Sequence, residues 1–402
     1  MPHLGFKRIV IFLLLFSSCI QNISKLDFHN SINSEESFLF ADENNIYMSW
    51  IESDSLNNYL YYSELENNKW SKKELIVEGD NWFINWADFP SISRNSKNGQ
   101  MMAHYLKKSY DSTFSYDIKF LIKNEQWSNE KLLHSDNTKS EHGFVSIKPY
   151  KDGFIATWLD GRNTNYLQKE INKIHTKGPM SLRSAIINYD GEIIEEYEID
   201  NKVCDCCQTS ITISDNIPFV VYRDRSDEEI RDISISKLEK DGWSKPFSIH
   251  NDNWKINGCP VNGPSIDSKG KNIAVAWFTI SNGTPSINLK YSMNGGKTFG
   301  KLIKVNEVDS KPLGRIDLEM LDDSSVIVSW IDVYDRKGKI SLRKIEKNGK
   351  KGKIINPTEI STKRISGFPQ IESLNNNLIL SYTKEVESFK KIESLKVPLK
   401  IF

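Results

Sequence analysis

A short apolar strand that ends in an aromatic residue recurs seven times along this chain. The first copy covers residues 46–50 and the last covers residues 378–382. The closing aromatics follow one another at intervals of 52 to 64 residues and are Trp50, Tyr105, Trp158, Tyr222, Trp277, Trp330 and Tyr382. Such a period indicates one supersecondary unit used repeatedly. It predicts a repeat architecture in which a single ring takes up most of the 402 residues.

Each unit also contains the other strands of a small sheet. A short strand precedes the aromatic, as at 144–147, and an alternating strand follows it, as at 287–291. Short strands joined by Gly, Asn and Asp turns are typical of antiparallel sheet, and no segment has sustained helical periodicity. We therefore predict an all-β fold, a β-propeller of four-stranded antiparallel blades, about seven in number, with six as the alternative. The last unit lacks a fourth strand, and we expect residues 26–36 to supply it. A linear β-solenoid is disfavoured because its repeats are usually shorter.

The charge balance and the N-terminus bear on location and partners. The chain has 53 basic and 53 acidic side chains, which argues against a nucleic-acid partner, since that would require a basic surplus. Lys7 and Arg8 precede an apolar run at 9–16 that is too short to span a bilayer and is typical of a signal peptide.

Small residues followed by Cys19 resemble a bacterial lipobox, although Phe16 replaces the usual Leu. We predict a signal peptide at 1–18, a lipid-anchored segment at 19–36 and a single propeller domain at 37–402. The mature protein would be exported to the cell envelope, in the periplasm or at the outer membrane, and attached to the membrane through the lipid on Cys19. Simple secretion is the alternative.

One turn resembles the Asp-box of the sialidase-like propeller family, Ser-x-Asp-x-Gly-x-Thr-Phe/Trp. Its residues here are Ser292, Asn294, Gly296, Thr298 and Phe299. In that family the box is a structural hairpin between the third and fourth strands of a blade, with a polar side chain capping the turn and a glycine at positive φ. The family usually has six blades, whereas seven units are counted here.

The mature chain also resembles bacterial envelope proteins that are labelled sialidase-like, on stretches such as 204–209, 222–225 and 259–264. The resemblance implies binding of an anionic glycan and an exo-α-sialidase-like glycoside hydrolase. Sialidases use three arginines to hold a carboxylate, a tyrosine–glutamate pair and an acid/base aspartate. The early Arg-Ile-Pro motif of that family is absent from this chain, and a shared fold does not carry function with it.

In a propeller, the loops before the inner strands and the loops after the second strands share one face, here called the axial face. Those loops supply most of the unusual residues of this chain. The candidate catalytic residues are Glu141, Asp160, Asp224 and Tyr382, and the candidate ligand-binding residues are His142, Arg162, Arg223, Arg225, Arg231, Asn262 and Arg315. Acids and bases of this type suit glycoside cleavage, and arginines suit an anionic ligand. The structural alternatives are salt bridges for the arginines and core packing for Tyr382.

Four cysteines remain in the exported body. They are Cys204, Cys206, Cys207 and Cys259. In an oxidising compartment they are disulfide candidates, and a cross-blade bond from Cys259 to one of the other three is expected. A soft metal ion, Cu(I) or Zn(II), is a second interpretation of the cluster, and a redox-active pair is a third. The alternative to a glycan-active protein is therefore a non-catalytic propeller that binds or assembles with an envelope protein and has a cysteine-rich rim.

Overall fold

The computed structural model describes residues 22–28, 30–31, 33–164, 178–387 and 389–402. The predicted signal peptide and Cys19 lie outside these residues. Within the described part, no helix combines the length and apolar character needed to cross a membrane. Apart from short 3-10 turns such as Ser281–Gly283 and Arg364–Ser366, the described regular structure is β-strand.

Seven antiparallel sheets form the blades of the propeller. The N-terminal strand is β1 (Ser24–Leu26). Blade 1 contains β2 (Ser34–Ala41), β3 (Ile46–Ser53), β4 (Asn58–Glu66), β5 (Lys69–Trp70) and β6 (Glu74–Gly79). Blade 2 contains β7 (Ser91–Arg94), β8 (Met101–Lys108), β9 (Tyr116–Lys123) and β10 (Lys131–Leu132). Blade 3 contains β11 (His142–Tyr150), β12 (Gly153–Asp160), β13 (Met180–Ile187) and β14 (Ile193–Val203).

The remaining blades follow the same antiparallel order. Blade 4 contains β15 (Ser210–Ser214), β16 (Ile217–Arg223), β17 (Ile233–Glu239), β18 (Gly242–Trp243) and β19 (Phe247–His250). Blade 5 contains β20 (Ser265–Lys269), β21 (Asn272–Thr279), β22 (Ser286–Ser292) and β23 (Ile303–Lys304). Blade 6 contains β24 (Pro312–Met320), β25 (Val326–Tyr334), β26 (Lys337–Ile345) and β27 (Lys351–Ile360). Blade 7 contains β28 (Gln370–Leu374), β29 (Asn377–Val386) and β30 (Phe389–Pro398).

The ring closes through its N-terminal strand. β1 pairs antiparallel with β30, with Ser24 opposite Lys396, and so becomes the outer strand of blade 7. The prediction of seven blades is confirmed. The closing strand lies earlier than the expected residues 26–36, because the almost wholly buried β2 forms the inner strand of blade 1 instead. Joining the N-terminal strand to the last blade closes the ring, and β1 covers the outer edge of β30.

The recurring aromatics are large, buried side chains of the second strands. All seven are at most 2% exposed. Each directs its polar edge to a carboxylate, which satisfies the buried N–H or O–H group. The pairs are Trp50–Glu52, Tyr105–Glu130, Trp158–Asp160, Tyr222–Asp200, Trp277–Asp252, Trp330–Asp332 and Tyr382–Glu393. The repeat therefore carries a paired acid as well as an aromatic.

The inner strands surround a central cavity of about 620 Å³. Side chains on one inner strand accept hydrogen bonds from backbone N–H groups on the next, which joins neighbouring blades. Asp267 accepts from Met320 N at 2.8 Å, and Asp317 accepts from Ile371 N at 2.8 Å. Ser210 does the same for Ile266 N at 3.2 Å. Among the described strands, no β-ladder joins one blade to the next. Polar side chains on the channel side of these strands provide the hydrogen bonds between neighbouring blades instead.

Residues 85–89, here called the plug, cross the axial opening. The carbonyl of Ala87 accepts a hydrogen bond from Gln208 of blade 4 at 2.7 Å. Trp86 stacks on Phe368 beside blade 7, with ring centroids 5.7 Å apart, and lies under the guanidinium of Arg315 of blade 6. Since these partners belong to blades on different sides of the axis, the plug covers the cavity at the axial face.

Candidate functional site

The loops that the repeat rule assigns to the axial face do meet there. Asp88 in the plug accepts a hydrogen bond from the backbone N–H of Phe144 at 2.6 Å. Asn262 accepts from the backbone N–H of Arg315 at 2.6 Å, and its own carbonyl accepts from Arg223. Gln208, which precedes the inner strand of blade 4, joins these two groups, because its side chain donates to the carbonyl of Ala87 and accepts from the backbone N–H of Gly263. The segments at the starts of the inner strands of blades 2 to 6 therefore form one continuous surface.

The most informative arrangement on this face, here called the relay, consists of Asp88, Tyr116 and Glu141. The Tyr116 hydroxyl lies 2.9 Å from Glu141 Oε1 and 3.1 Å from Asp88 Oδ2. A tyrosine hydroxyl carries one proton and can donate only once. When Tyr116 donates to Glu141, the short contact with Asp88 requires a protonated Asp88 that donates to the Tyr116 oxygen.

The surroundings of Asp88 favour its protonated form. The carboxyl is 2% exposed, and burial raises its pKa to about 8, with a further contribution from Glu141. Burial and the two carboxylates raise the pKa of Tyr116 as well, so Tyr116 remains a proton donor. Gly143 makes room for this contact, because a Cβ there would lie 2.0 Å from Asp88 Oδ2.

Only one member of the relay, Glu141, is a candidate catalytic residue on sequence grounds. The structure places it, half-buried, at the outer end of the relay. Tyr116 is not among the candidates. It is the first residue of β9, and the start of a third strand lies on the same face as the end of a second strand. This position in the repeat is the sequence signal that identifies Tyr116.

His142 belongs to a buried ionic cluster beside the relay. Its Nδ1 bonds the carbonyl of Tyr116 at 3.2 Å, and its Nε2 lies 3.2 Å from Asp136. The His134 ring stacks on the His142 ring at 3.6 Å and bonds Asp136 at 2.6 Å. Burial alone would lower the pKa of His142, but Asp136 and Asp160 outweigh it and raise that pKa. The cluster thus stabilises a protonated histidine.

Asp160 is the buried anchor of that cluster. It accepts two hydrogen bonds from the Arg162 side chain, both at 2.8 Å, and one from Trp158 Nε1 at 2.9 Å. Burial would raise the pKa of Asp160, but Arg162 and His142 hold it below the usual value. Glu52 and Asp332 occupy the same position after the tryptophans of blades 1 and 6. This shared position indicates a structural role for Asp160.

The other candidate arginines are also bonded within the protein. Arg223 is 1% exposed and donates to the carbonyls of Asn262, Arg231 and Phe278. Arg225 and Arg231 share the carboxylate of Glu229. Arg162, Arg225 and Arg231 therefore form salt bridges within the protein, which is the structural alternative for the candidate arginines.

Arg315 serves a different structural purpose. It is buried, has a φ of 55° and donates to the carbonyls of Lys363 and Gly367. Burial lowers its pKa to about 10. Its guanidinium packs on the ring of Trp86 in the plug, with the guanidinium carbon 4.8 Å from the ring centroid.

Asp224 and Tyr382 lie apart from the relay contacts. Asp224 accepts a hydrogen bond from Ser234 at 2.8 Å, and burial, together with Asp200, raises its pKa. Tyr382 is 2% exposed in the core between blades 6 and 7, and its hydroxyl donates to Glu393 at 2.7 Å. Tyr382 therefore packs in the core, which is the structural alternative for this residue.

Cys206 and Cys259 form the cross-blade disulfide, here called the brace, with their Cα atoms 6.0 Å apart. Cys204 and Cys207 are free and buried, with sulfurs 3.4 Å apart. Zinc in a structural site takes four ligands. The brace occupies two of the four sulfurs, and both nitrogens of His142 already have partners. The described residues therefore do not provide a four-ligand zinc site here, and the remaining pair offers Cu(I) only two thiols.

The turn that resembles an Asp-box has the expected hairpin geometry. It lies between β22 and β23, and Gly296 has a φ of 72°. Asn294 accepts from the backbone N–H of Thr298 at 3.0 Å, and Ser292 accepts from Gly296 N at 2.9 Å. Phe299 packs against the core of blades 4 and 5.

Comparisons with known proteins show the fold. No protein-family profile matches the chain, and no curated protein is significantly similar to it. The polysaccharide lyase Uly1 is 9% identical with a TM-score of 0.52, over 93% of this chain and 92% of the lyase. The phage phi92 endosialidase is 11% identical with a TM-score of 0.50, over 94% of this chain and 69% of that chain. A protein of unknown function from Dyadobacter fermentans is 14% identical with a TM-score of 0.50, over 77% and 94%.

Proposed function

We propose that this chain is an exported, lipid-anchored propeller that binds a glycan on its axial face and cleaves it with the relay. The relay carries the proposal, since it places a base and an acid in hydrogen-bond contact where the loops of several blades converge. Paired carboxyl groups in environments that separate their pKa values are the usual arrangement for acid–base chemistry.

Glu141 is the proposed acid/base at the substrate. It is the only half-buried member of the relay, while Asp88 and Tyr116 are buried. Glu141 accepts a proton from the glycan or from an attacking water and returns it to the leaving oxygen. Tyr116 donates to Glu141 and orients it. Asp88 acts through Tyr116 and is therefore a positioning residue.

The plug supports a glycan as the ligand. Phe89, next to Asp88 in the chain, is partly exposed and offers an apolar aromatic surface beside the relay for contact with a sugar ring. Two of the propellers with a similar fold are described as a polysaccharide lyase and an endosialidase. The candidate arginines are bonded to protein acceptors, so the proposal extends to neutral as well as anionic glycans, and the two classes form two arms of the test.

Turnover of a polysaccharide panel tests the proposal. Reducing ends and unsaturated sugar products are measured for wild type, Glu141→Gln and Tyr116→Phe. Loss of general acid–base catalysis lowers the rate by about 10²–10⁴-fold, and we expect a fall in this range for Glu141→Gln. Tyr105→Phe is the matched control, because Tyr105 is a buried tyrosine of the same blade that bonds a different carboxylate, Glu130. Equal turnover in all four proteins would contradict the relay.

The brace favours a second function, a non-catalytic propeller that binds or assembles with an envelope protein. A covalent link between the loops of blades 4 and 5 keeps a binding face rigid without any chemistry. Glycan or protein binding with no turnover, unchanged in Glu141→Gln, would support this alternative.

The membrane anchor is tested separately. Cells that express wild type or Cys19→Ser are fractionated. Wild type should be found in the membrane fraction, and Cys19→Ser should be found in the soluble fraction of the envelope. Wild type that is already soluble would contradict the lipid anchor and leave the relay proposal unaffected.

A further inference from the structure

The four cysteines of blades 4 and 5 are arranged for chemistry that the relay does not use. Cys204 and Cys207 form a Cys-x-x-Cys pair, and Cys206, which lies between them in the sequence, is one half of the brace. We propose that these residues form a thiol–disulfide exchange site, in which the disulfide passes between the exposed brace and the buried Cys204–Cys207 pair. This inference is independent of the proposed glycan function.

The sulfurs are close enough for exchange. Those of Cys204, Cys206 and Cys207 lie within 4.8 Å of one another, and those of Cys204 and Cys207 are 3.4 Å apart. Each sulfur of the buried pair is therefore close to a sulfur of an existing disulfide. A local side-chain movement can bring an attacking thiolate into contact without rearrangement of the strands.

The electrostatic environment selects the attacking sulfur. The hydrogen bond from Cys207 lowers the pKa of Cys204 to about 6, and the positive charges of Arg231 and Arg223 lower it further against burial. Arg231 Nη1 is buried without a hydrogen-bond partner among the described residues. Burial and the neighbouring Cys204 raise the pKa of Cys207. Cys204 is therefore the thiolate, and Cys207 the thiol that reacts second.

The exchange is balanced within the protein. The Cys204 thiolate attacks the sulfur of Cys206, so that a Cys204–Cys206 bond forms and the Cys206–Cys259 bond breaks, with Cys259 leaving as the thiolate. Cys207 then loses its proton to solvent and attacks Cys204, and Cys206 leaves as a thiolate that takes up a proton. One disulfide and two thiols are present before and after, and no external oxidant or reductant is consumed.

Exchange changes what the protein presents to solvent. Cys204 and Cys207 are 1% and 2% exposed, whereas Cys259 lies on the surface. With the brace formed, the surface carries a disulfide that can accept electrons from a partner dithiol. After exchange, the surface carries the Cys259 thiol, a nucleophile for a partner disulfide. The site therefore suits a redox partner that carries an accessible cysteine pair.

Alkylation of the native protein tests this proposal. The protein is adjusted to two thiols per chain, counted under denaturing conditions, incubated with N-ethylmaleimide at several pH values and mapped by peptide mass spectrometry. Exchange predicts label on Cys259 together with a disulfide that contains Cys204, at a rate that rises with a midpoint near pH 6. A static brace predicts no label on Cys259 at any pH, and this result would overturn the proposal.

Two variants identify the attacking sulfur. Cys204→Ser should reduce native labelling of Cys259 by at least about tenfold, because the reactive thiolate is absent. Cys207→Ser should keep that labelling and yield the Cys204–Cys206 disulfide. Equal labelling of Cys259 in wild type and Cys204→Ser would contradict the mechanism. The wild-type result decides the proposal even if either variant folds poorly.

Discussion

The two halves of the axial face shift the pKa of a buried acidic group in opposite directions. On the side of blades 2 and 3, burial raises the pKa of Asp88 to about 8, and Glu141 adds to this rise. On the side of blades 4 and 5, the hydrogen bond from Cys207 lowers the pKa of Cys204 to about 6, and Arg231 and Arg223 add to this fall. The first half favours a neutral acid and the second favours an anion, although both groups are almost fully buried. Burial favours the neutral form of each group, and the hydrogen bond and the arginines outweigh it at Cys204.

Within the half formed by blades 2 and 3, the same comparison distinguishes a carboxyl group that can transfer a proton from one that only stabilises the loop. Asp160 is as buried as Asp88 but is held ionised by Arg162 and His142. An ionised, fully paired carboxylate stabilises the loop, whereas a protonated carboxyl in contact with a tyrosine can take part in proton transfer. Substitutions in the two halves can test this distinction.

Removal of the buried anchor should have the largest effect on stability. Asp160→Ala leaves Arg162, His142 and the indole of Trp158 without their shared acceptor. We expect the free energy of unfolding in urea to fall by about 3–5 kcal/mol. Asp227→Ala, which breaks an exposed salt bridge with Lys202, is the control and should change it by less than about 1 kcal/mol. Similar losses in the two variants would remove the contrast.

Loss of the brace should have the next largest effect. Cys259→Ser should lower the free energy of unfolding by about 2–4 kcal/mol, because the unfolded chain regains the freedom of a 53-residue loop. Urea denaturation of wild type with and without reductant measures the same quantity independently. A Cys259→Ser protein as stable as oxidised wild type would show that the brace is not formed or not stabilising.

The neutral Asp88 predicts a specific pH dependence. Because folding raises the pKa of Asp88 from 3.8 to about 8, the stability linked to its proton is complete below about pH 4 and is lost as the pH rises through 8. Asp88→Asn, which imitates the neutral acid, should therefore gain about 1–3 kcal/mol over wild type between these limits. A constant difference across that range would show an ionised Asp88.

His142 should also favour its protonated form, which for a histidine is the charged form. Its pKa is raised in the folded protein, so its contribution to stability is complete below the usual value of 6.5 and is lost as the pH rises through the folded value. His142→Gln should lose more stability relative to wild type at pH 6 than at pH 9, by about 1 kcal/mol. Thermal unfolding at the two pH values measures the difference, and an equal loss at both would contradict a protonated His142.

The Asp-box turn should have the smallest effect, because it lies in neither half. Asn294→Ala removes the side-chain cap on Thr298, and we expect a loss of about 1 kcal/mol. Unchanged labelling of Cys259 and unchanged turnover would confirm that the turn is structural. An effect on either would link it to the axial face.

The sequence predicted the fold more completely than the site, for a physical reason. The seven aromatics of the second strands and the loop rule are local patterns that repeat, so they predicted the blades and the disulfide between Cys259 and a cysteine of the neighbouring blade. Hydrogen bonds between distant residues are not periodic. Tyr116, His134 and Asp136 acquire partners only when blades 2 and 3 pack together, and the crossing of the axis by Trp86 depends on contacts with blades 4, 6 and 7.

The repeat also explains why Asp160, a candidate catalytic residue, has a structural role. Asp160 follows Trp158 as Asp332 follows Trp330 and Glu52 follows Trp50, and each acid accepts from the indole N–H. That recurrence was visible in the sequence and marks Asp160 as part of the repeat. Asp88 has no such partner aromatic, and Glu141 begins no recurring pattern.

The protonation state of Asp88 is the most direct test of the relay. Isotope-edited infrared spectroscopy of wild type minus Asp88→Asn resolves the carbonyl stretch of this carboxyl group as the pH is raised. The relay predicts a protonated carboxyl signal at pH 7 that disappears with a midpoint near 8. A carboxylate signal already present at pH 5, with no change up to pH 9, would contradict the proton chain from Asp88 through Tyr116 to Glu141.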